Sequence, residues 1–194
     1  VSLSASCHSF AQQWQFLGLG GESISAIAVD PKNMNIIYAG SASDFSGGKR
    51  GGLFKSTNAG ATWDTLLTGL SVNEILIHPD NPNAFFVASG TENESPPGIL
   101  KSTNAGISWA WSDSGIVLGS SGASVLALAI DPRQPDIMYA GTGGFFGGSL
   151  YKTVDGGRFW FRPGIVNDTN IGEIAIDPQQ PETLYCGTSG YGAV

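Results

Sequence analysis

Two glutamates occupy the same place in a repeated six-residue pattern. Val72-Asn73-Glu74-Ile75-Leu76-Ile77 and Ile171-Gly172-Glu173-Ile174-Ala175-Ile176 each set one carboxylate near the start of an otherwise apolar run. Burial of a carboxyl group raises its pKa. Hydrolysis of a glycosidic bond needs two carboxyl groups, one proton donor and one base or nucleophile. Glu74 and Glu173 are therefore candidate catalytic residues, set against the plainer reading of hydrogen-bonded or solvated side chains. A second feature is aromatic: Phe145-Phe146 stands between Gly143-Gly144 and Gly147-Gly148. Such a pair stacks on sugar rings or anchors a partner protein if exposed, and is ordinary core if it folds back on neighbouring strands.

Other chemistries fail on inventory. His8 is near the start of the chain and His78 replaces an Asp in a turn, so no Ser-His-Asp set forms. Cys7 and Cys186 lie at opposite ends without a CxxC, which argues against a zinc site. Two free thiols and a Cys7–Cys186 disulfide are both compatible with that spacing. No phosphate-cradling or calcium-loop motif is present, and the expectation is no metal and no cofactor. Nine basic against sixteen acidic residues give a net charge of −7, which argues against nucleic acid or an anionic membrane as partner. No apolar run reaches the ~18 residues of a membrane helix, so no membrane insertion is expected. Val1 to Ser9 is small and polar without a basic stretch, and reads as a mature start whose leader is not visible.

The elements that must position these residues follow from a repeat. Lys55-Ser56-Thr57-Asn58-Ala59-Gly60-Ala61-Thr62-Trp63 returns as Lys101-Ser102-Thr103-Asn104-Ala105-Gly106-Ile107-Ser108-Trp109. It returns again as Lys152-Thr153-Val154-Asp155-Gly156-Gly157-Arg158-Phe159-Trp160. Ahead of each lies an apolar six-residue run ending at Asp30-Pro31, His78-Pro79 or Asp131-Pro132, with a fourth run ending at Asp177-Pro178. The prolines recur at intervals of 48, 53 and 46 residues. A second strand follows each run (Tyr38-Ala39-Gly40 and Tyr139-Ala140-Gly141 are its clearest forms), then a variable loop, a third strand ending at the Lys, and a fourth opened by the Trp. A period of ~40–50 residues holding four short strands is a propeller blade. The predicted fold is an all-β propeller of four-stranded antiparallel blades over 24–71, 72–124, 125–170 and an incomplete 171–194. These make about three and a half blades of a partial ring. Residues 1–23 precede them, with one strand over 10–17 that reads as an outer blade strand.

Ser56-x-Asn58-x-Gly60-x-Thr62-Trp63 resembles the Asp-box of the BNR-repeat propellers, with Asn for Asp. The second copy keeps Ser102, Asn104, Gly106 and Trp109. The third keeps Asp155, Gly157 and Trp160, with Thr153 and Phe159 substituted. The resemblance extends to blades of xyloglucanase-type glycoside hydrolases, the photosystem II assembly propeller and sortilin-type receptors. It implies that the box is a structural turn: the Asn or Asp accepts local N–H bonds, the Gly adopts a positive φ, and the Trp packs between blades. In xyloglucanase-type enzymes one catalytic Asp follows the second strand of a blade, before a Gly-Gly-aromatic run. Asp44 is the nearest counterpart, in a longer loop and without the immediate Gly-Gly. A sialidase reading, which needs three arginines and a Tyr nucleophile, fails because Arg133 and Arg158 sit in turns of the wrong face and leave only Arg50 and Arg162.

Strand alternation puts the boxes and Asp-Pro turns on one face and the variable loops on the other. Asp44, Phe45, Phe145, Phe146 and Tyr191 are the ligand-face candidates, while Glu92 and Glu94 read as a solvated loop. The leading expectation is a non-catalytic binding or assembly module, extracellular, periplasmic or at the cell surface, whose loop face takes protein or polysaccharide. A polysaccharide-acting hydrolase and a structural surface-layer or filament subunit are the alternatives. The ring would be completed by the rest of a longer chain or by assembly with other chains.

Overall fold

The computed structural model describes residues 18–43, 48, 50–90, 97–118, 123–145, 147–164 and 169–189. The strand expected over 10–17, and Cys7, lie outside the described residues. Among the described residues, thirteen strands form four antiparallel sheets in chain order. The first holds β1 (Ser23–Val29), β2 (Ile37–Ala42), β3 (Gly52–Ser56) and β4 (Asp64–Thr68). The second holds β5 (Ser71–Ile77), β6 (Phe85–Gly90), β7 (Gly98–Ser102) and β8 (Ala110–Trp111). The third holds β9 (Ser124–Ile130), β10 (Met138–Gly143) and β11 (Leu150–Thr153), and the fourth β12 (Asn170–Ile176) and β13 (Leu184–Ser189). Each sheet is a meander, and the described residues contain no helix. The fold is a β-propeller arc.

The fourth strand of a blade dwindles along the chain. Among the described residues β4 has five and β8 two, and the third sheet shows the bridge between Lys152 and Phe161 in that place. The sequence pattern predicted a strand in each. After Trp160 the chain meets Pro163, which has no N–H to give a ladder, and Gly164 at φ 81. After Trp111 it leaves the sheet at Ser112 and turns at Gly115, φ 89.

Three apolar cores lie between successive sheets. Tyr38 and Leu53 meet Val72, Ile75 and Phe85; Phe86 and Ile99 meet Val125, Met138 and Trp160; Ala129 and Tyr139 meet Ile171 and Ile174. Neighbours such as Phe85 and Phe86 thus serve opposite cores, because successive side chains of a strand point to opposite faces. That is why these strands read as apolar throughout. Close approach of blades requires the Gly of Tyr-Ala-Gly: a Cβ on Gly40 would sit 2.2 Å from Val72 Cγ1. Ile27 is 66% exposed on β1 and Tyr185 63% on β13.

The turn between β3 and β4, and its two copies, share one hydrogen-bond scheme. Ser56, Ser102 and Thr153 hydroxyls accept the N–H of Gly60 (2.8 Å), Gly106 (2.9 Å) and Gly157 (3.1 Å). Those glycines have φ 88, 91 and 84. Each turn also donates to the β1–β2 type turn of its own blade: Ala59 to Asn35 O, Ala105 to Asn83 O and Gly156 to Asp136 O. Both sets of turns therefore share one end of the sheets. Gly157 additionally receives a neighbour, since its carbonyl accepts the Ser112 hydroxyl at 2.7 Å. Gly157→Ala puts a methyl 2.6 Å from Ser112 Oγ and forces a left-handed φ on Ala. It is expected to lower stability by about 2–3 kcal/mol. Gly69→Ala has a similar φ of 76 but open space, and should cost only about 1 kcal/mol. Urea unfolding with unchanged m values checks the difference; equal losses would contradict it.

Candidate functional site

The loops joining β2 to β3, β6 to β7 and β10 to β11 leave from the sheet end opposite the turns. Each is pinched at its base by a buried hydroxyl. Gly52 N–H donates to Ser41 Oγ at 3.0 Å, Gly98 N–H to Ser89 Oγ at 3.1 Å, and Ser149 N–H to Thr142 Oγ1 at 2.9 Å. Sequence reasoning missed these three clasps. Their signal is a Ser or Thr directly after the second strand's small residues, at the same repeat position each time.

The β10–β11 loop carries Phe145, which is 88% exposed. Gly147 donates to Gly144 O at 3.2 Å, closing a turn with Phe145 at its tip. Asn170, from β12 of the next blade, accepts the Gly144 N–H at 2.9 Å. The largely exposed ring is thus carried by a loop held from both blades. Phe146, Asp44, Phe45 and Tyr191 lie outside the described residues.

Glu74 and Glu173 occupy equivalent registers one residue after a bulge in the innermost strand. Glu74 pairs with Ala88, and Glu173 with Gly187. Ala26 and Ala127 hold that register in the first and third blades. Burial pushes the Glu74 carboxyl above the usual range, the Ile75 N–H pulls it back, and the Glu173 charge pushes it further up. The arc therefore brings the two carboxylates, from second and fourth blades, into each other's field. Glu74 is half-buried and Glu173 exposed. A carboxyl whose pKa is raised, near a second carboxylate, has the inventory for general acid–base chemistry. Just ahead of Glu74, Asn73 Nδ2 donates to Val125 O at 2.7 Å, and the equivalent Ser25 hydroxyl to Val72 O, tying the inner strands together. Among the described residues no three His, Cys, Asp or Glu side chains gather as metal ligands.

The turn residues stand at the other end. Asn58 Oδ1 accepts Thr62 N–H at 2.8 Å, and Asn104 Oδ1 accepts Ser108 N–H at 2.9 Å. Asp155 Oδ1 accepts from Arg158 and Phe159, both at 3.0 Å. The Phe159 N–H, then the Thr153 hydroxyl, hold the Asp155 carboxyl below its usual value. Trp160 is fully buried and donates to Ser112 O at 2.7 Å, while Trp109 packs edge-on to Phe85 and Trp63 lies against Gly18. Cys186 is half-buried on β13, and burial pushes its thiol up.

No family model matches this sequence, and no curated protein matches it. Solved structures do match in fold. The GH74 enzyme of Niastella koreensis superposes with TM-score 0.70 at 22% identity, over 86% of this chain and 26% of its own. The GH74 xyloglucanase of Xanthomonas campestris gives 0.69 at 23%, over 88% and 27%. YCF48 of Cyanidioschyzon merolae gives 0.54 at 17%, over 80% and 48%, and YCF48 bound to D1 peptide 0.53 at 15%, over 82% and 45%. The chain spans about a quarter of the length of the GH74 structures.

Because the Glu74 carboxyl titrates higher folded than unfolded, its charge opposes folding. That penalty is absent below the unfolded value of about 4.3 and complete above the folded one. Glu74→Gln should therefore raise stability at pH 7, by under about 1 kcal/mol given solvent screening. The gain should vanish near pH 4. Urea midpoints across that range check this, and a gain that persists at pH 4 would assign the effect to packing.

Proposed function

We propose that this chain is a non-catalytic binding and assembly module of a propeller, extracellular, periplasmic or at the cell surface, whose loop face recognises protein or polysaccharide. The observation that carries the reading is Phe145, 88% exposed on a loop closed by Gly144–Gly147 and by Asn170. A loop whose backbone is already tied loses little main-chain freedom on binding, so more of the ring's burial energy appears as affinity. Aromatic anchors of this kind dominate many interfaces. The structure of YCF48 bound to D1 peptide supports a protein ligand for the fold, and the xyloglucanase a polysaccharide ligand.

A polysaccharide-acting hydrolase is the second reading. It is favoured by the raised Glu74 carboxyl in the field of Glu173 and by the GH74 neighbours. In that reading Glu74 is the proton donor and Glu173 the base or nucleophile.

Native gels cast with soluble polysaccharides, xyloglucan among them, and arrays of peptides separate the readings. The expected result is retention by at least one ligand, weakened about tenfold or more by Phe145→Ala, with no reducing ends released. Release of reducing ends that Glu74→Gln or Glu173→Gln abolishes would overturn the binding module in favour of the hydrolase.

A further inference from the structure

Each blade's first strand ends at a corner whose opening side chain accepts two backbone N–H groups. Asp30 Oδ1 accepts from Lys32 at 2.8 Å and Asn33 at 3.1 Å. Asp131 Oδ1 accepts from Arg133 at 2.8 Å and Gln134 at 3.2 Å. Asp177 Oδ1 accepts from Gln179 at 2.8 Å and Gln180 at 3.2 Å. The second blade has His78 in that place, and its Nδ1 accepts from Asp80 and Asn81, both at 3.2 Å. A ring nitrogen that accepts carries no proton, so this geometry needs the neutral imidazole with its proton on Nε2. A carboxylate keeps its acceptor sites down to about pH 4, and an imidazole only to about pH 6.5. One corner thus loses its acceptor in a range where the other three keep theirs.

The same corner joins two blades. Asp80, whose N–H the ring holds, accepts the Lys32 Nζ of the first blade on its carbonyl. Asn81 O accepts the Ala84 N–H at 2.8 Å, and Asn83 O accepts the Ala105 N–H at 2.8 Å. Ala105 O in turn accepts the Lys55 Nζ of the first blade at 3.2 Å. Both lysines therefore reach the second blade at the His78 corner or at the turn docked on it. The charged groups on the surrounding elements are Asp80 on the corner itself, Asp30 and Lys32 on the first blade's corner, Lys55 and Lys101 ahead of the turns, and Asp131 and Arg133 on the third blade's corner. The four cations are engaged with carbonyls, of Asp80, Ala105, Gly156 and Gln179. Asp30 and Asp131 hold their own corners. Asp80 is exposed and His78 half-buried.

We propose that His78 is a proton-operated latch on the boundary between the first and second blades. With the ring neutral, the corner is closed and the second blade is docked on Lys32 and Lys55. A proton on Nδ1 sets one N–H against the N–H groups of Asp80 and Asn81, so the ring leaves the corner and the Asp80 carboxylate is its counter-charge. The stability that the closed corner supplies is present above the histidine range and lost as the pH falls through it. The other three corners hold. The latch lies at the turn end of the sheets and does not depend on the loop-face function.

Amide hydrogen exchange and imidazole nitrogen NMR on the whole chain, between about pH 7.5 and about pH 5.5, test this. At the upper pH the His78 proton should sit on Nε2. On acidification the protection factors of Asp80, Asn81, Ala84 and Ala105 should fall about tenfold, the worth of a lost hydrogen bond. The fall should share its midpoint with the His78 ring, and Asn33, Gln134 and Gln180 should keep their protection. His78→Asp, which retains His8, should abolish the fall. A proton on Nδ1 at the upper pH, a ring that stays neutral throughout, a ring that titrates while these amides stay protected, or the same fall in His78→Asp would each overturn the proposal. All but the last are read on the unaltered chain, so they decide the matter even if the variant fails to fold.

Discussion

The arc depends on one small constraint, the hydrogen bond from the N–H of a left-handed glycine to the hydroxyl at the start of its own turn. That bond at Gly60, Gly106 and Gly157 folds the chain back sharply enough for the preceding residue to reach the Asn-rich turn of the same blade. The second and third turns also present carbonyls, Ala105 O and Gly156 O, that Lys55 and Lys101 of the previous blade grip. Blades are therefore coupled to nearest neighbours by the same residues that shape each blade, the arrangement that lets a repeat protein propagate. The turns adjust internally. Where Asn58 and Asn104 have amide protons to place, Thr62 and Ser108 accept them at 2.9 and 2.8 Å. Where Asp155 has none, the counterpart is Phe159, which offers no acceptor.

With one sheet end committed to turns, the other is free to vary. Loops of different length leave from the same three hydroxyl clasps, so a change in loop sequence leaves the blade intact. The inner strands add a rim on which Ser25 and Asn73 tie one blade to the next and on which Glu74 and Glu173 share a field. The proposed binding role and the hydrolase alternative draw on these two neighbouring features, the displayed Phe145 and the carboxylate rim. A likeness to GH74 and YCF48 structures at 15–23% identity speaks to the fold these features are built on and to nothing finer.

Much of the fold was legible because its turns demand particular residues. A positive φ asks for Gly, the Asp-Pro corner asks for a side-chain acceptor, and Gly40 is required by the approach of Val72. Strand length was less legible: β8 and the Phe161 bridge are cut short by the chain that follows them, not by any loss of apolar pattern. At the site, the equivalence of Glu74 and Glu173 could be read from spacing, but their mutual influence depends on the curvature of the arc. The exposure of Phe145 was open for a related reason. Glycines on both sides permit either direction, and the loop is held by Asn170, 25 residues from Phe145 in sequence and in another blade.

Amide hydrogen exchange of Gly60, Gly106 and Gly157 tests the claim that these turns hold the arc together. If they do, the three amides exchange only on global opening, at the rate of the buried β6 amides Phe86 to Ala88 and with the same denaturant dependence. Exchange of the turn glycines at loop rates while β6 stays protected would mean that the blades are held by their apolar cores alone.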